Sequence, residues 1–210
     1  MPEIFDNIER HLLPTLQKAL ELSLRADFCV GYFNLRGWKD LDQYVERWPG
    51  GDGHCCRLLV GMQRRPEDDQ LRTLFSPAEQ PGGIDTSGAV RLRKKLLDEF
   101  RRQLTVGAPT GADERGLRRL AQQIRAKRLL VKLFLRHPLH AKLYLLERSD
   151  PLSPKLGYLG SSNLTLAGLS KQGELNVDIT DLAQLVATMS ATSSEISRQN
   201  WSFQRSKNQR

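Results

Sequence analysis

The sequence contains little of what marks a disulfide-rich, zinc-binding or membrane-spanning protein. Its 210 residues include 3 cysteines, Cys29, Cys55 and Cys56, whose spacing fits neither a disulfide framework nor a zinc site. No apolar run is long enough to cross a membrane, and a start that carries Glu3 and Asp6 does not fit a signal peptide. No Gly-x-x-x-x-Gly-Lys-Ser/Thr stretch occurs, which excludes an ATPase of that type within it. We therefore expect a cytoplasmic protein.

Acidic residues are also scarce, and one part of the chain lacks them altogether. The formal net charge is +8 and the isoelectric point is about 9.7. Residues 115–146 contain no Asp or Glu but many cations, namely Arg115, Arg118, Arg119, Arg125, Lys127, Arg128, Lys132, Arg136 and Lys142. A solvated helix face is the usual reason for a charge run, but such a face normally mixes both signs. The bias favours a surface that follows a phosphate backbone, although charge alone does not separate DNA from an anionic membrane.

The apolar pattern predicts one α/β domain. Near-continuous apolar runs at 27–33 and 55–61 are typical of strands covered on both faces, and the segment between them has helical spacing. Such a β-α-β unit favours a parallel or mixed sheet. Further strands are predicted at 129–135, from His140 onwards, at 156–159 and at 175–179. We predict a mixed β-sheet between helical layers over residues 1–182, and a weakly structured tail over residues 183–210.

Apolar side chains at helical spacing predict four amphipathic helices. Their expected core faces are Leu12, Leu16, Leu20 and Leu24; Trp38, Leu41, Val45 and Trp48; Leu92, Leu96, Phe100 and Leu104; and Leu117, Leu120, Ala121 and Ile124. Residues 67–75 fit one further short helix. The Pro- and Gly-rich stretch at 76–88 and the stretch at 107–111 are predicted to be loops.

Two chemically active side chains occupy one predicted strand. His140 and Lys142 are two residues apart in an alternating segment, so we expect both on one face, with Tyr144 following them. An imidazole and an ammonium at the edge of a core are costly to place unless an anion lies against them. A neutral imidazole can attack phosphorus and hold the phosphoryl group covalently, while the ammonium stabilises charge on the phosphoryl oxygens. This chemistry requires no metal or other cofactor.

A second polar group follows in Gly160-Ser161-Ser162-Asn163. Ser161 and Asn163 repeat the two-residue spacing at the end of an apolar segment, which makes them candidates for hydrogen bonds to phosphoryl oxygens. Glu174 precedes a short strand, where a carboxylate would orient the imidazole through its second nitrogen. Taken singly, a histidine at a strand end or a Gly-Ser-Ser-Asn turn is more often structural. Their occurrence together and in this order favours a phosphodiesterase-type site.

The order His-x-Lys followed by Gly-Ser-x-Asn resembles the signature of the phospholipase D superfamily. The resemblance implies a nucleophilic role for His140 and phosphate binding by Lys142 and Asn163. It also assigns Ser161 to the phosphate and Glu174 to the support of the imidazole. It implies a phospholipase D-like fold and a phosphodiesterase or nuclease that works without a metal.

Four other residues are candidates for supporting roles. The superfamily usually has Asp where this chain has Glu147, five residues after Lys142, so Glu147 is a candidate supporting residue. Ser162, Arg36 and Arg136 are candidate phosphate ligands. Arg36 follows a predicted strand at the start of a helix, where anions are favoured, although a merely exposed arginine is an equally good interpretation.

The N-terminal part carries a narrower resemblance. Ile4-Phe-Asp-Asn7, together with the segment from Asp27 to Trp38, resembles the phospholipase D-like module at the N-terminus of some bacterial helicases. This resemblance implies DNA as a partner and a helicase domain or subunit as an associate.

The chain carries one copy of the signature, whereas the resemblance implies a reaction with two histidines. His137 would point to the opposite strand face, and His11 and His54 have no companion motifs. We therefore predict a homodimer in which two His140 side chains share one site. The first alternative is a DNA-binding and dimerisation module of a helicase that no longer cuts. The second is a phospholipid phosphodiesterase, which the lack of an anchor or an aromatic apolar face makes less favoured.

Overall fold

The computed structural model describes residues 2–51, 53–61, 94, 97, 98, 100–102, 104, 110–134 and 139–180. Within these ranges the chain forms a mixed sheet of seven strands in the order β1-β7-β6-β5-β2-β3-β4. The strands are β1 (Ile4–Phe5), β2 (Ser23–Val30), β3 (Cys56–Gly61), β4 (Leu129–Phe134), β5 (Lys142–Arg148), β6 (Lys155–Gly160) and β7 (Asn176–Ile179). β2, β3 and β4 are parallel, and the other neighbours are antiparallel. The predicted mixed sheet is confirmed.

The register brings termini of six strands together along one side of the sheet, which is an edge formed by strand ends and not by an outer strand. Val30 at the end of β2 pairs with Lys142 at the start of β5, and Gly160 at the end of β6 pairs with Asn176 at the start of β7. Gly61 at the end of β3 pairs with the last residue of β4. We call this the His140 edge, because His140 lies two residues before β5.

Helices cover one face of the sheet in the part of the chain that the structure describes. They are α1 (Leu12–Glu21), α2 (Leu35–Lys39), α3 (Asp42–Glu46), α4 (Gly111–Arg125) and a π-helix (Ala167–Lys171). Their buried side chains form one cluster with Phe28, Tyr144 and Leu146 of the sheet. The alternate residues of β5, Leu143 and Leu145, belong to a second cluster on the other face. This alternation is the one predicted for the segment after His140.

The N-terminal helix begins where its sequence allows. Leu12 donates its N–H to Oδ1 of Asn7 at 2.9 Å, and Pro14 lies in the first turn, where no backbone donor is needed. The helix ends at Glu21, so the predicted core position Leu24 falls in β2 instead and is 45% exposed.

Two predicted helices differ from the observed ones. Trp38, Leu41, Val45 and Trp48 are buried as predicted, but two short helices replace the single one: Trp38 lies in α2 and Val45 in α3, with Leu41 and Trp48 on either side of α3. In α4, Leu120 is buried, whereas Leu117 and Ile124 are 41% and 42% exposed. The helix packs through Gly116 and Gln123 instead, because Gln123 joins Trp38 Nε1 to the backbone of α3 by hydrogen bonds.

Several predicted segments lie outside the described residues. These are the helix at 67–75, the loop at 76–88 and the tail at 183–210. Of the helix predicted around 92–104, Phe100 and Leu104 are described, and both pack on the core, with Phe100 stacked on Phe33. Among the helices that the structure describes, none has both the length and the apolar character that a bilayer span demands.

Candidate active site

Two glycines let the His140 segment lie directly against the sheet. A Cβ on Gly61 would come within 2.4 Å of the carbonyl oxygen of Leu139. A Cβ on Gly31 would lie 3.3 Å from Asn163 Oδ1 and 3.8 Å from the Cα of His140. Since the Cβ position on Gly31 is close to both atoms, the Asn163 amide and the His140 backbone are neighbours. His140 itself is exposed at this edge.

Lys142 lies beneath His140. Its side chain is 3% exposed, and its Nζ donates a hydrogen bond to the carbonyl oxygen of His140 at 3.1 Å. Burial lowers the pKa of this ammonium, and the nearby Glu174 carboxylate offsets part of that effect. The site therefore holds a buried cation directly against the backbone of the exposed His140, and a buried cation favours a bound anion.

Asn163 is fixed by the end of β2. Its Oδ1 accepts the N–H of Tyr32 at 2.9 Å, and the Phe33–Leu164 bridge joins the two segments beyond that bond. Since the amide oxygen is engaged, the NH2 group of Asn163 is the end that remains to donate. No bond from this group to another described residue occurs, so a phosphoryl oxygen beside His140 is a suitable acceptor for it.

Ser161 and Glu174 form a unit at the ends of β6 and β7. The Ser161 hydroxyl donates to Oε2 of Glu174 and accepts the N–H of Leu175 at 2.9 Å. Burial lowers the pKa of Lys142 and raises that of Tyr144; the charge of the same carboxylate offsets part of the first effect and adds to the second. Glu174 is thus within electrostatic reach of the ammonium. In this arrangement its hydrogen-bond partner is Ser161, and no described bond joins it to the imidazole of His140.

The structure places Ser162 away from the candidate phosphate ligands. It is completely buried, its hydroxyl accepts from Asn176 Nδ2 at 2.8 Å, and its carbonyl accepts from the Tyr144 hydroxyl at 2.9 Å. Ser161 and Ser162 point to opposite sides, as successive residues of an extended segment do. Ser162 therefore supports the strand ends from within the core, which corrects the prediction that it binds phosphate.

Glu147 also lies apart from the site. It is near the end of β5, at the opposite edge of the sheet, with its Oε2 3.9 Å from the guanidinium of Arg25. Seven residues of nearly extended chain separate it from His140, or roughly 20 Å. Its predicted supporting role is corrected to that of a partner in an ion-pair group with Arg25 and Asp27.

The two arginine candidates have different outcomes. Arg36 lies in α2, which directly follows the end of β2 at the His140 edge, and it is half-buried. Its role as a phosphate ligand stays a prediction. Arg136 lies outside the described residues.

Sequence reasoning missed Asn7 as a residue of this site. Its Nδ2 donates to the carbonyl oxygens of Gly168 at 2.9 Å and Gln172 at 3.3 Å, in the loop that joins Asn163 to Glu174. Asn7 is 6% exposed and has a φ of 59°, a conformation that asparagine tolerates better than most residues. The signal was an Asp-Asn pair directly after a short apolar stretch, which is typical of a turn.

Within the described ranges, no three His, Cys, Asp or Glu side chains are grouped closely enough to hold a metal ion.

The fold is similar to those of several solved structures. NucT from Helicobacter pylori aligns with a TM-score of 0.52 and 9% identity, over 94% of this chain and 96% of that one. Nuc from Salmonella typhimurium, a phospholipase D family member, gives a TM-score of 0.48 and 12% identity, over 91% and 90%. Phosphatidylserine synthase from Haemophilus influenzae Rd KW20 gives 0.49 and 18%, over 93% of this chain and 38% of the synthase. No protein-family model matches the chain, and no curated protein does.

The alignment with NucT extends over nearly the full length of both chains. At this identity it shows the fold. The mixed sheet, the order of its strands and this likeness agree with the resemblance seen in the sequence: the chain has a phospholipase D-like α/β fold.

Proposed function

We propose that the chain is a phosphodiesterase of the nuclease type, which cleaves nucleic acid at the His140 edge without a metal. One observation carries the proposal. The exposed residue His140 has its backbone carbonyl bonded by the buried ammonium of Lys142, and its Cα lies near an Asn163 amide whose donor end is unoccupied by any described residue. Nucleophile, cation and neutral donor are the groups that an in-line attack on a phosphodiester needs.

In the proposed reaction, a ring nitrogen of His140 attacks phosphorus and a P–N bond forms as the P–O bond to the leaving oxygen breaks. Lys142 and Asn163 donate to the non-bridging oxygens, whose charge grows in the transition state. A proton passes to the leaving oxygen from an acid on the opposite side. Water then attacks the phosphohistidine, breaks the P–N bond and regenerates the free imidazole.

The acid is assigned to a second copy of His140. A single signature supplies one imidazole, and His140 is exposed at the edge of the sheet, where a twofold partner can approach it. In the homodimer, each imidazole serves as nucleophile or as acid for the site they share. Sedimentation of the purified chain tests this part directly, since a monomer at working concentrations would contradict it.

Nucleic acid is favoured as the substrate because the net charge is +8 and the cations are concentrated between residues 115 and 146. Association with a DNA helicase domain or subunit, and a cytoplasmic location, are further parts of the proposal. They rest on the resemblance of the N-terminal segments and on the sequence pattern.

One observation favours the alternative of a DNA-binding and dimerisation module that does not cut. Glu174 is bonded to Ser161, and no described residue is hydrogen-bonded to the ring of His140. Within the described residues the imidazole thus has no orienting partner, as expected for a site that a partner completes or for one that has lost its activity.

Cleavage of labelled DNA in excess EDTA separates the two functions. The proposal predicts chelator-insensitive cleavage that His140→Ala abolishes and His54→Ala leaves unchanged. His54 is a suitable control because it is exposed near the start of β3, at the edge opposite to the site. DNA retention without cleavage by the parent chain and by both variants would establish the binding module instead.

A further inference from the structure

Three arginines and a glutamine lie in a row on the solvent-facing side of α4. Arg115, Arg118, Gln122 and Arg125 follow one another at spacings of three, four and three residues, which places them on one face of a helix. All four are exposed, and they lie opposite the buried residues Gly116, Leu120 and Gln123. We call these four residues the α4 stripe. One acidic side chain, Glu114, is exposed beside it, one turn before Arg118.

Few of these charges are neutralised. Arg118 pairs with Glu114 at 2.7 Å, but both side chains are largely exposed, and such pairs contribute little. The side chains of Arg115 and Arg125 have no ion pair with any residue in the described ranges. The neighbouring Arg119 differs, because it pairs with the buried carboxylate of Asp42 at 3.0 Å and holds α4 to α3.

The stripe begins on the side of the candidate site. Near the start of α4, Asp113 accepts a hydrogen bond from Lys39 of α2 at 3.1 Å. In α2, a Cβ on Gly37 would come within 2.6 Å of the Cα of Thr165, two residues beyond Asn163. The other end of α4 lies at the opposite edge of the sheet, where Lys127 accepts the N–H of Gly51 at 3.0 Å. The helix therefore leads away from the neighbourhood of the site.

We propose that the α4 stripe binds the phosphate backbone of the nucleic acid that flanks the scissile phosphate, an inference that rests on the proposed function. From Arg115 to Arg125 the helix rises about 15 Å. One strand of a duplex has a phosphate roughly every 3.4 Å along its axis, so the stripe spans about four phosphate intervals. The exposed Leu117 and Ile124 lie on the flank of the helix, where they do not share a surface with the stripe. This separation favours a nucleic-acid backbone over a lipid surface, which would engage cations and apolar side chains together.

The test compares two double variants that remove the same charge. Arg115→Gln/Arg125→Gln alters the stripe, and Arg10→Gln/Lys18→Gln alters exposed cations near the N-terminus and on α1. Both are made on the His140→Ala chain, so that the DNA is not cut during the measurement. Binding of a labelled single strand and of a duplex is measured across salt concentration, and vesicles of phosphatidylserine and phosphatidylcholine serve as the lipid probe. Thermal unfolding confirms that both variants fold.

The stripe variant should reduce the slope of log K against log salt by about 1.4 on the single strand and about 1.8 on the duplex. The control variant should change the slope by less than half as much as the stripe variant does. Equal slopes for the two variants would overturn the proposal, as would a parent chain that does not bind DNA. A stripe variant that loses vesicle binding but keeps DNA binding would also overturn it and would indicate a lipid partner.

Hydrolysis of bis(p-nitrophenyl) phosphate by the chain that retains His140 separates this inference from the proposed function. The small diester does not reach the stripe, so both double variants should hydrolyse it like the parent. If no variant hydrolyses the diester but the slope still falls, the stripe stands and the nuclease proposal fails. If the diester is hydrolysed and the stripe variant leaves the slope unchanged, the nuclease proposal stands and the stripe inference fails.

Discussion

The hydroxyl of Ser161 donates to the carboxylate of Glu174 and so joins the end of β6 to the start of β7. The same oxygen accepts the N–H of Leu175, so the hydroxyl has used its donor before any phosphate arrives. Burial lowers the pKa of the Lys142 ammonium, and the carboxylate that Ser161 holds is close enough to offset part of that effect. We therefore expect Ser161 to act through Glu174, as a positioning residue.

Replacing Ser161 tests this assignment. Ser161→Ala frees the carboxylate and should lower kcat for DNA cleavage on the order of 10- to 100-fold with little change in KM, which is the usual effect of losing an orienting hydrogen bond. Ser161→Thr keeps a hydroxyl and should restore most of the rate. A rise in KM at unchanged kcat would show instead that Ser161 binds the phosphate itself.

Lys142 should be required for activity but not for stability. Its ammonium is buried, and burial lowers its pKa, so the fold bears the cost of a poorly solvated charge. Lys142→Met has a similar shape without the charge. We expect a variant that does not cleave DNA and whose unfolding midpoint at pH 7 equals or exceeds that of the parent. A clear loss of stability would mean that the ammonium contributes favourably to the fold.

The pH dependence of stability should differ between the same two proteins. The pKa of Lys142 is lowered from 10.5 in the folded chain. Between the folded value and 10.5 the unfolded chain binds a proton that the folded chain has released, so stability rises with pH in that window. Below the window both states are protonated and the residue adds no slope. Denaturant midpoints from pH 7 to 10.5 should show this rise for the parent relative to Lys142→Met; parallel curves would contradict it.

Gly61→Ala should inactivate the site although the new methyl group contacts Leu139 and no candidate catalytic side chain. The added Cβ would lie 2.4 Å from the carbonyl oxygen of Leu139, so the segment that carries His140 must move outwards. Overpacking of this kind costs about 1–3 kcal/mol of the free energy of unfolding. We expect that loss together with a large fall in kcat. Gly111→Ala is the matched control, since its nearest neighbour would be the end of the Arg115 side chain at 3.8 Å. Full activity in Gly61→Ala would show that the position of Leu139 does not matter.

Asn7 should support both the fold and the site. Asn7→Gly keeps the positive φ but loses the bonds to Leu12, Gly168 and Gln172. The expected loss is about 1–3 kcal/mol of the free energy of unfolding. Asn7→Asp keeps the acceptor for Leu12 and loses the donor to the loop before Glu174. If that loop positions the site, Asn7→Asp lowers kcat well below the parent. Equal activity at saturating substrate would indicate a structural role alone.

The alternation of the strand that follows His140 could be predicted from the sequence. Tyr144 and Leu146 pack on the helical side and Leu143 and Leu145 on the other, as a period of two requires. The same alternation separates Ser161, which bonds Glu174, from Ser162, which is buried in the core.

The face of α4 was not predictable from apolar spacing. Leu117 and Ile124 remain exposed because the helix packs on α2 through Gly116 and through the hydrogen bonds of Gln123. A small residue and a buried amide define this contact, and neither of them contributes to a pattern of hydrophobic spacing. Asn7 was missed for a similar reason, since its contacts join segments more than 160 positions apart in the sequence.

The central claim is that His140 forms a covalent bond to phosphorus. The most direct measurement is rapid acid or base quenching of the chain with a labelled DNA diester, followed by peptide mass spectrometry. The account predicts a base-stable, acid-labile nucleotidyl or phosphoryl adduct on the peptide that contains His140, absent from His140→Ala. DNA cleavage without any adduct on His140, or with the adduct on another residue, would contradict it.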